Sequence, residues 1–159
     1  MPLAAIALGS NLPSPWGDRE ANLREAVKQV ARLGEVRAIS GLYDTEPVGE
    51  IEQPHFLNGA MLLETELQPL ELMRGLLAIE LAMGRDRTLA PPKGARVIDL
   101  DLLLMDDVVL STPDLTLPHP ALAARRFVLE PLADIAPEMV DPVSRCTVAE
   151  MLARLQPAP

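Results

Sequence analysis

The chain opens with Leu3-Ala-Ala-Ile-Ala-Leu8, a short apolar run closed by Gly9-Ser10-Asn11 and by prolines at 13 and 15. That pattern reads as a buried strand entering a loop. From Asp18, a residue suited to N-capping, apolar side chains at 23, 26, 27, 30 and 33 keep helical spacing until Gly34. Val36 to Tyr43 is β-branched and apolar and leads into Thr45-Glu46-Pro47-Val48-Gly49, while Phe56 to Glu66 is a second extended segment beyond a polar loop. The two are natural neighbours in a sheet. Pro69 suits the first turn of another helix, whose apolar residues at 73, 76, 77 and 83 run to Gly84. After the loop Arg85 to Ala95, Val97 to Met105 forms the strongest strand of the chain. The order β-α-β-β-α-β predicts a ferredoxin-like α+β sandwich, with helices on one face of an antiparallel sheet. Short C-terminal additions follow: a strand over Val108 to Leu110 and a final helix to about Leu155, announced by the capping box Thr147-Val-Ala-Glu150. The proline-rich tail at 157 to 159 is expected to fray.

At 159 residues the chain is expected to be one domain over 1–159. A net charge of -9 repels a polyanion, so a nucleic-acid binder of the usual basic kind is disfavoured. Six of the 14 Lys and Arg nevertheless gather beside the Val97 strand: Arg85, Arg87, Lys93 and Arg96 before it, Arg125 and Arg126 after it. That grouping suits a small polyphosphate better than a long duplex. The lone Cys146 cannot form an internal disulfide, the N-terminal apolar run has no preceding positive charge, and no segment reaches the length of a membrane span. A cytoplasmic monomer with no membrane partner is the expectation.

Candidate chemistry centres on Asp99-Leu100-Asp101. On a strand, residues two apart share a face at roughly 7 Å, so the two aspartates project together while Ile98, Leu100, Leu102 and Leu104 project to the other side. Two carboxylates forced together inside an apolar run suit divalent cations, and paired Mg²⁺ ions are what ATP needs for in-line displacement. A strand face that is simply solvated is the alternative. Arg85, Arg87, Lys93 and Arg96 are candidate phosphate clamps, Arg96 foremost because it stands three residues before Asp99. His119, fixed between two prolines, is either a structural hydrogen-bonder or part of the same site, and His55 reads as structural. No glycine-rich phosphate loop is present, so metal and arginine would have to hold ATP. The loop Arg85 to Ala95 is expected to be mobile without ligand and to close over ATP.

These residues together resemble the 6-hydroxymethyl-7,8-dihydropterin pyrophosphokinases of folate biosynthesis. The likeness runs through Ala7-Leu-Gly-Ser-Asn-Leu12, Tyr43-Asp-Thr-Glu-Pro47, Gln53-Pro54 with Phe56-Leu-Asn58, Glu80 with Gly84-Arg85, Arg96-Val-Ile-Asp-Leu-Asp101, and Leu117-Pro-His119 through Arg125 and Phe127 to Ile135-Ala-Pro-Glu138. It implies that ATP donates its β,γ-pyrophosphoryl unit to the hydroxymethyl oxygen of the pterin, leaving AMP. It implies that Asp99 and Asp101 hold two Mg²⁺ ions, that Arg85 and Arg96 act beside them in catalysis, and that Glu80, Arg87, Ile98, His119 and Arg125 bind ATP. For the pterin it implies Thr45, Pro47 and Val48 beside the ring, Asn58 reading its edge, and Phe56 with Phe127 stacking on it. A flat heteroaromatic does want an aromatic face and an amide at its rim. Phe56 stands where the family often has Tyr, and Lys93 and Ala95 depart from common Trp and Pro.

Overall fold

The computed structural model describes residues 2–46, 54–84 and 96–155. Strand β1 (Leu3–Ser10) leads to helix α1 (Arg19–Val30), and Asp18 caps that helix by accepting the Ala21 N–H at 3.0 Å, a contact that contributes about 1 kcal/mol. Strands β2 (Glu35–Ile39), β3 (Tyr43–Thr45) and β4 (Phe56–Glu64) follow, then helix α2 (Pro69–Ala82) and strand β5 (Asp99–Met105). The segment expected as one strand over Val36 to Tyr43 is broken at 40–42. Ser40 donates its backbone N–H to the Ala60 carbonyl and accepts the Ala60 N–H on its hydroxyl, so the kink is pinned to β4 and β3 then pairs with β4 separately.

The sheet order is β2-β4-β1-β5, all antiparallel, with β3 also on β4. The elements run β-α-β-β-β-α-β, one strand more than expected because the second is split into β2 and β3, in an α+β fold with four helices among the described residues. Beyond β5 a two-stranded ribbon pairs β6 (Leu110–Ser111) with β7 (Thr116–Leu117). Helix α3 (Arg126–Ile135) and helix α4 (Val148–Arg154) complete the chain, the latter capped as expected by Thr147 and Glu150.

Helices on one face only is corrected. Ala4, Ile6, Leu8, Met61, Leu63, Leu100 and Leu102 pack against α1 and α2, whereas Ala5, Ala60, Leu62, Leu103 and Leu104 pack against α3 and α4. β1 and β4 are therefore apolar on both faces, as a sheet covered on both sides requires. Helix α3 is absent from the sequence expectation although Val128, Leu129 and Leu132 keep helical spacing; Pro131 lies within it, buried and without an N–H for the helical ladder. The predicted face of Leu104 is corrected too. The register of β5 against β1 slips between Ala5 and Ile6, so Leu103 is an inserted residue and Leu104 turns to the α3 face, where Asp101 also points. No described helix is long and apolar enough to cross a membrane. Cys146 is a buried free thiol.

Candidate active site

The register places the chemistry on one sheet face. Asn58 pairs with Gly9 and Gly9 with Asp99, so an amide and a carboxylate flank a bare glycine across β4, β1 and β5. One row inward, Ala60, Ala7 and Asp101 stand in the same relation. The floor between the two functional sides is thus built from the smallest side chains in the sheet. A methyl added at Gly9 would lie 3.1 Å from Asn58 Oδ1 and 3.8 Å from both the Asp99 Cβ and the Phe56 ring. A strand glycine where the pleat needs no unusual torsion is the mark of a close approach.

Asp99 and Arg96 pair at 3.2 Å with largely sheltered side chains, 23% and 14% exposed. The Arg96 guanidinium also lies over the Phe56 ring, 5.7 Å from its centroid. On the pterin side of the predicted set, Asn58 is buried and its Nδ2 donates to the Thr45 hydroxyl. Phe56 follows on the same face of β4, two residues before Asn58.

Arg125 stands at the N-terminus of α3 with its guanidinium 5.7 Å from the Phe127 centroid, while Arg126 turns away to pair with Glu130 at 2.5 Å. Phe127 packs against the α3-side core. His119 is fixed twice: its backbone N–H meets the Leu103 carbonyl at 2.8 Å, and its Nδ1 accepts the Ala121 N–H at 3.1 Å. In the neutral ring the proton is therefore on Nε2, the donor nitrogen.

Two predicted ATP residues lie behind the strand. Ile98 has a fully buried side chain in the α1/α2 core. Glu80, on α2 and 1% exposed, accepts the Leu100 N–H at 2.7 Å. That N–H belongs to the outer edge of β5, midway between the two aspartates. Arg85, Arg87, Lys93, Ala95, Pro47 and Val48 lie outside the described residues, as do the whole loop Arg85 to Ala95 and the tail at 157 to 159.

His55 is structural, as expected. Its Nδ1 meets Asp44 at 2.9 Å, and Arg19 ties the His55 carbonyl and the Asp44 carboxylate together. The imidazole of His55 and the guanidinium of Arg19 hold Asp44 below the usual carboxylate range. Tyr43 is joined to Asp134 of α3 at 2.7 Å, and that hydrogen bond to a carboxylate raises the phenol above its ordinary value.

The sequence reading took Gly9-Ser10-Asn11 for a turn and missed Asn11 and Asn22. Asn11 is buried and grips both neighbours of the site: its Oδ1 accepts the Arg96 N–H at 2.7 Å, and its Nδ2 donates to the Pro54 carbonyl at 3.0 Å. The available signal for Asn22 was its spacing, four residues before Ala26 and so on the apolar side of α1.

Among the described residues no three acidic, histidine or cysteine side chains gather as a metal cluster. Two carboxylates beside an open floor nevertheless fit Mg²⁺, which uses one or two carboxylates and takes its remaining oxygens from phosphate and water.

A family model described as 7,8-dihydro-6-hydroxymethylpterin-pyrophosphokinase matches residues 5–137. A Pseudomonas aeruginosa 2-amino-4-hydroxy-6-hydroxymethyldihydropteridine pyrophosphokinase is 45% identical over 150 residues, covering 93% of this chain and 88% of the relative. A Bacillus subtilis protein of the same name is 41% identical, covering 86% and 80%. The Schizosaccharomyces pombe folic acid synthesis protein fol1 is 37% identical over 96% of this chain but only 20% of its own length. Among solved structures, wild-type Plasmodium falciparum HPPK-DHPS with pteroate superposes with a TM-score of 0.73 at 15% identity, over 96% of this chain and 42% of that one. This likeness concerns the fold, and the chain spans less than half of that solved chain.

Proposed function

Since the chain belongs to the 7,8-dihydro-6-hydroxymethylpterin-pyrophosphokinase family and is a pyrophosphokinase of folate biosynthesis, we propose that its reaction takes place on the sheet face between Asn58 and Asp99. There the β,γ-pyrophosphoryl unit of ATP passes to the hydroxymethyl oxygen of 6-hydroxymethyl-7,8-dihydropterin, and AMP leaves. The observation that carries this reading is the row Asn58, Gly9, Asp99: an amide and a carboxylate stand on either side of a residue with no side chain.

Asp99 and Asp101 are assigned to two Mg²⁺ ions. When bound, those ions neutralise charge on the polyphosphate of ATP. Every other contribution comes from side chains. Arg96 rests on Asp99 and over Phe56, so its guanidinium is held at the boundary between the nucleotide and pterin sides. His119 offers its Nε2 proton to a phosphate oxygen, a role supported by its backbone tie to β5 and by Nδ1 accepting the Ala121 N–H. Arg125 is assigned to the same phosphates, and Arg85 and Arg87 join them by family likeness. Glu80 and Ile98 serve ATP from behind, by holding β5 and the root of Arg96 in place.

For the pterin, Thr45 accepts from Asn58 and so fixes which way the amide faces; Phe56 and Phe127 supply ring faces, and Pro47 and Val48 complete the pocket by family likeness. Positioning and electrostatic stabilisation of the transferring group supply most of the rate, since phosphoryl transfer asks little covalent chemistry of the protein. The strand order β2-β4-β1-β5 supports a ferredoxin-like reading of the fold. We also assign the protein to a single domain working as a cytoplasmic monomer, to which a lone free thiol is suited.

The test is AMP release from ATP by the purified, folded protein. It should require both Mg²⁺ and 6-hydroxymethyl-7,8-dihydropterin. No AMP release with both present would overturn the proposal.

A further inference from the structure

Helix α1 carries an amide where its packing calls for an apolar residue. Asn22 shares the buried face with Leu23, Ala26 and Val30, and it is 0% exposed. Its Nδ2 donates to the Leu12 carbonyl at 2.7 Å and lies 3.2 Å from Ser10 Oγ and 3.3 Å from the Val97 carbonyl. Its Oδ1 accepts from the Ser14 hydroxyl. A buried amide is costly in a helix interior and against an apolar sheet, so it is tolerated only where its hydrogen bonds are met. Here they are met by main chain and hydroxyls outside the helix.

What Asn22 grips is the turn after β1 and the residue next to Arg96. Within that turn Asn11 donates its backbone N–H to the Arg96 carbonyl at 3.0 Å and accepts the Arg96 N–H on its side chain. The backbone of Arg96 is therefore held by Asn11, and both the turn carrying Asn11 and the carbonyl of Val97 are held by Asn22. Apolar packing can slide by fractions of an ångström, whereas hydrogen bonds fix direction as well as distance.

We propose that Asn22 is a positioning residue for pyrophosphoryl transfer: acting through Asn11 and the main chain of residues 96–97, it sets the Arg96 guanidinium against Asp99. The inference rests on the assignment of Arg96 to the transferring group. A misplacement of about 1 Å in such a group costs on the order of 100-fold.

A double-mutant cycle tests it, with AMP formation measured for wild type, Asn22→Ala, Arg96→Ala and the double variant. In the wild-type background Asn22→Ala should lower kcat/KM by about 10- to 100-fold. In the Arg96→Ala background it should cost under about 2-fold, because residues acting through a shared partner are not additive. Thermal unfolding of the same four proteins separates a general loss of stability, which would be alike in both backgrounds. Equal fold-losses of activity in the two backgrounds, or no loss in either, overturn the proposal. Should Asn22→Ala not fold, Asn22→Ser, which keeps a small donor, enters the same cycle with the same criterion. An active wild type with a silent Arg96→Ala would refute the assignment of Arg96, and with it this inference, while leaving the pyrophosphokinase activity standing.

Discussion

Glu80 offers the sharpest separation between a residue that touches ATP and one that builds the site. Its side chain accepts the Leu100 N–H at 2.7 Å while 1% exposed, on the edge of β5 that no strand covers among the described residues. A hydrogen bond from a backbone N–H to a charged group contributes about 1.5–3 kcal/mol. Truncation to Ala adds a cavity and leaves that N–H unsatisfied, bringing the loss to about 2–4 kcal/mol. In a chain of this size each 1 kcal/mol moves the unfolding midpoint by about 2–4 °C, so Glu80→Ala should fall by roughly 5–15 °C. Glu80→Gln keeps an acceptor in place at nearly the same volume, so it should stay within about 1.5 kcal/mol of wild type. The assay is urea and thermal unfolding of the nucleotide-free protein, followed by far-UV circular dichroism. A residue that served ATP alone would leave the ligand-free protein unchanged. An unaltered midpoint for Glu80→Ala would therefore refute the frame-building role.

Other perturbations read other parts of the structure. Gly9→Ala sets a methyl 3.1 Å from Asn58 Oδ1; calorimetric titration should show pterin binding weakened by about 10-fold, with ATP binding held within about 2-fold. Asp99→Asn and Asp101→Asn should each lower kcat by about 100- to 1,000-fold at saturating Mg²⁺, with AMP formation as the measure. Tyr43→Phe removes the hydrogen bond that joins β3 to Asp134 of α3 and should cost about 1 kcal/mol by urea midpoint. Asp44 titrates below the usual carboxylate range because of His55 first and Arg19 second. Its contribution is therefore in place above that range and disappears as pH falls through the depressed value. The gap between wild type and Asp44→Asn in denaturant midpoint should be open at about pH 7 and close only as pH falls below the ordinary aspartate value of about 3.9.

The parts of the fold that were legible in the sequence are those where one local signal dominates. Asp18 and the Thr147 to Glu150 capping box marked two helix starts, Pro69 a third, and the apolar runs of β1, β4 and β5 stood out without ambiguity. Helix α3 was hidden because Pro131 argues locally against a helix that tertiary burial of Val128, Leu129 and Leu132 sustains. The aspartates were visible as charges inside an apolar strand. Asn11 and Asn22 were not, because an asparagine after a glycine reads as a turn and one near a helix start reads as an ordinary polar position. Spacing on the apolar side of α1 hints at burial for Asn22, but partners more than 40 residues away are a property of the folded chain alone.

Strand β5 shows why the site and the core can share one sheet face. A regular strand keeps a single alternation, so a face bearing Asp99 and Asp101 would continue through Leu103 to Met105, and Leu104 would fall on the opposite side. The slip opposite Ala5 and Ile6 inserts Leu103 and resets the alternation. Leu103 and Leu104 then both join the α3/α4 core, while Met105 joins the α1/α2 core. Behind the acidic pair that face is filled by two successive leucines, where regular alternation would place Leu103 and Met105. The same irregularity leaves the Leu103 carbonyl to receive the His119 N–H at 2.8 Å. A single inserted residue thus closes the second core and anchors the histidine beside the strand that carries the aspartates. It is invisible in Leu102-Leu-Leu-Met105 because an unbroken apolar run has no alternation from which to read a phase.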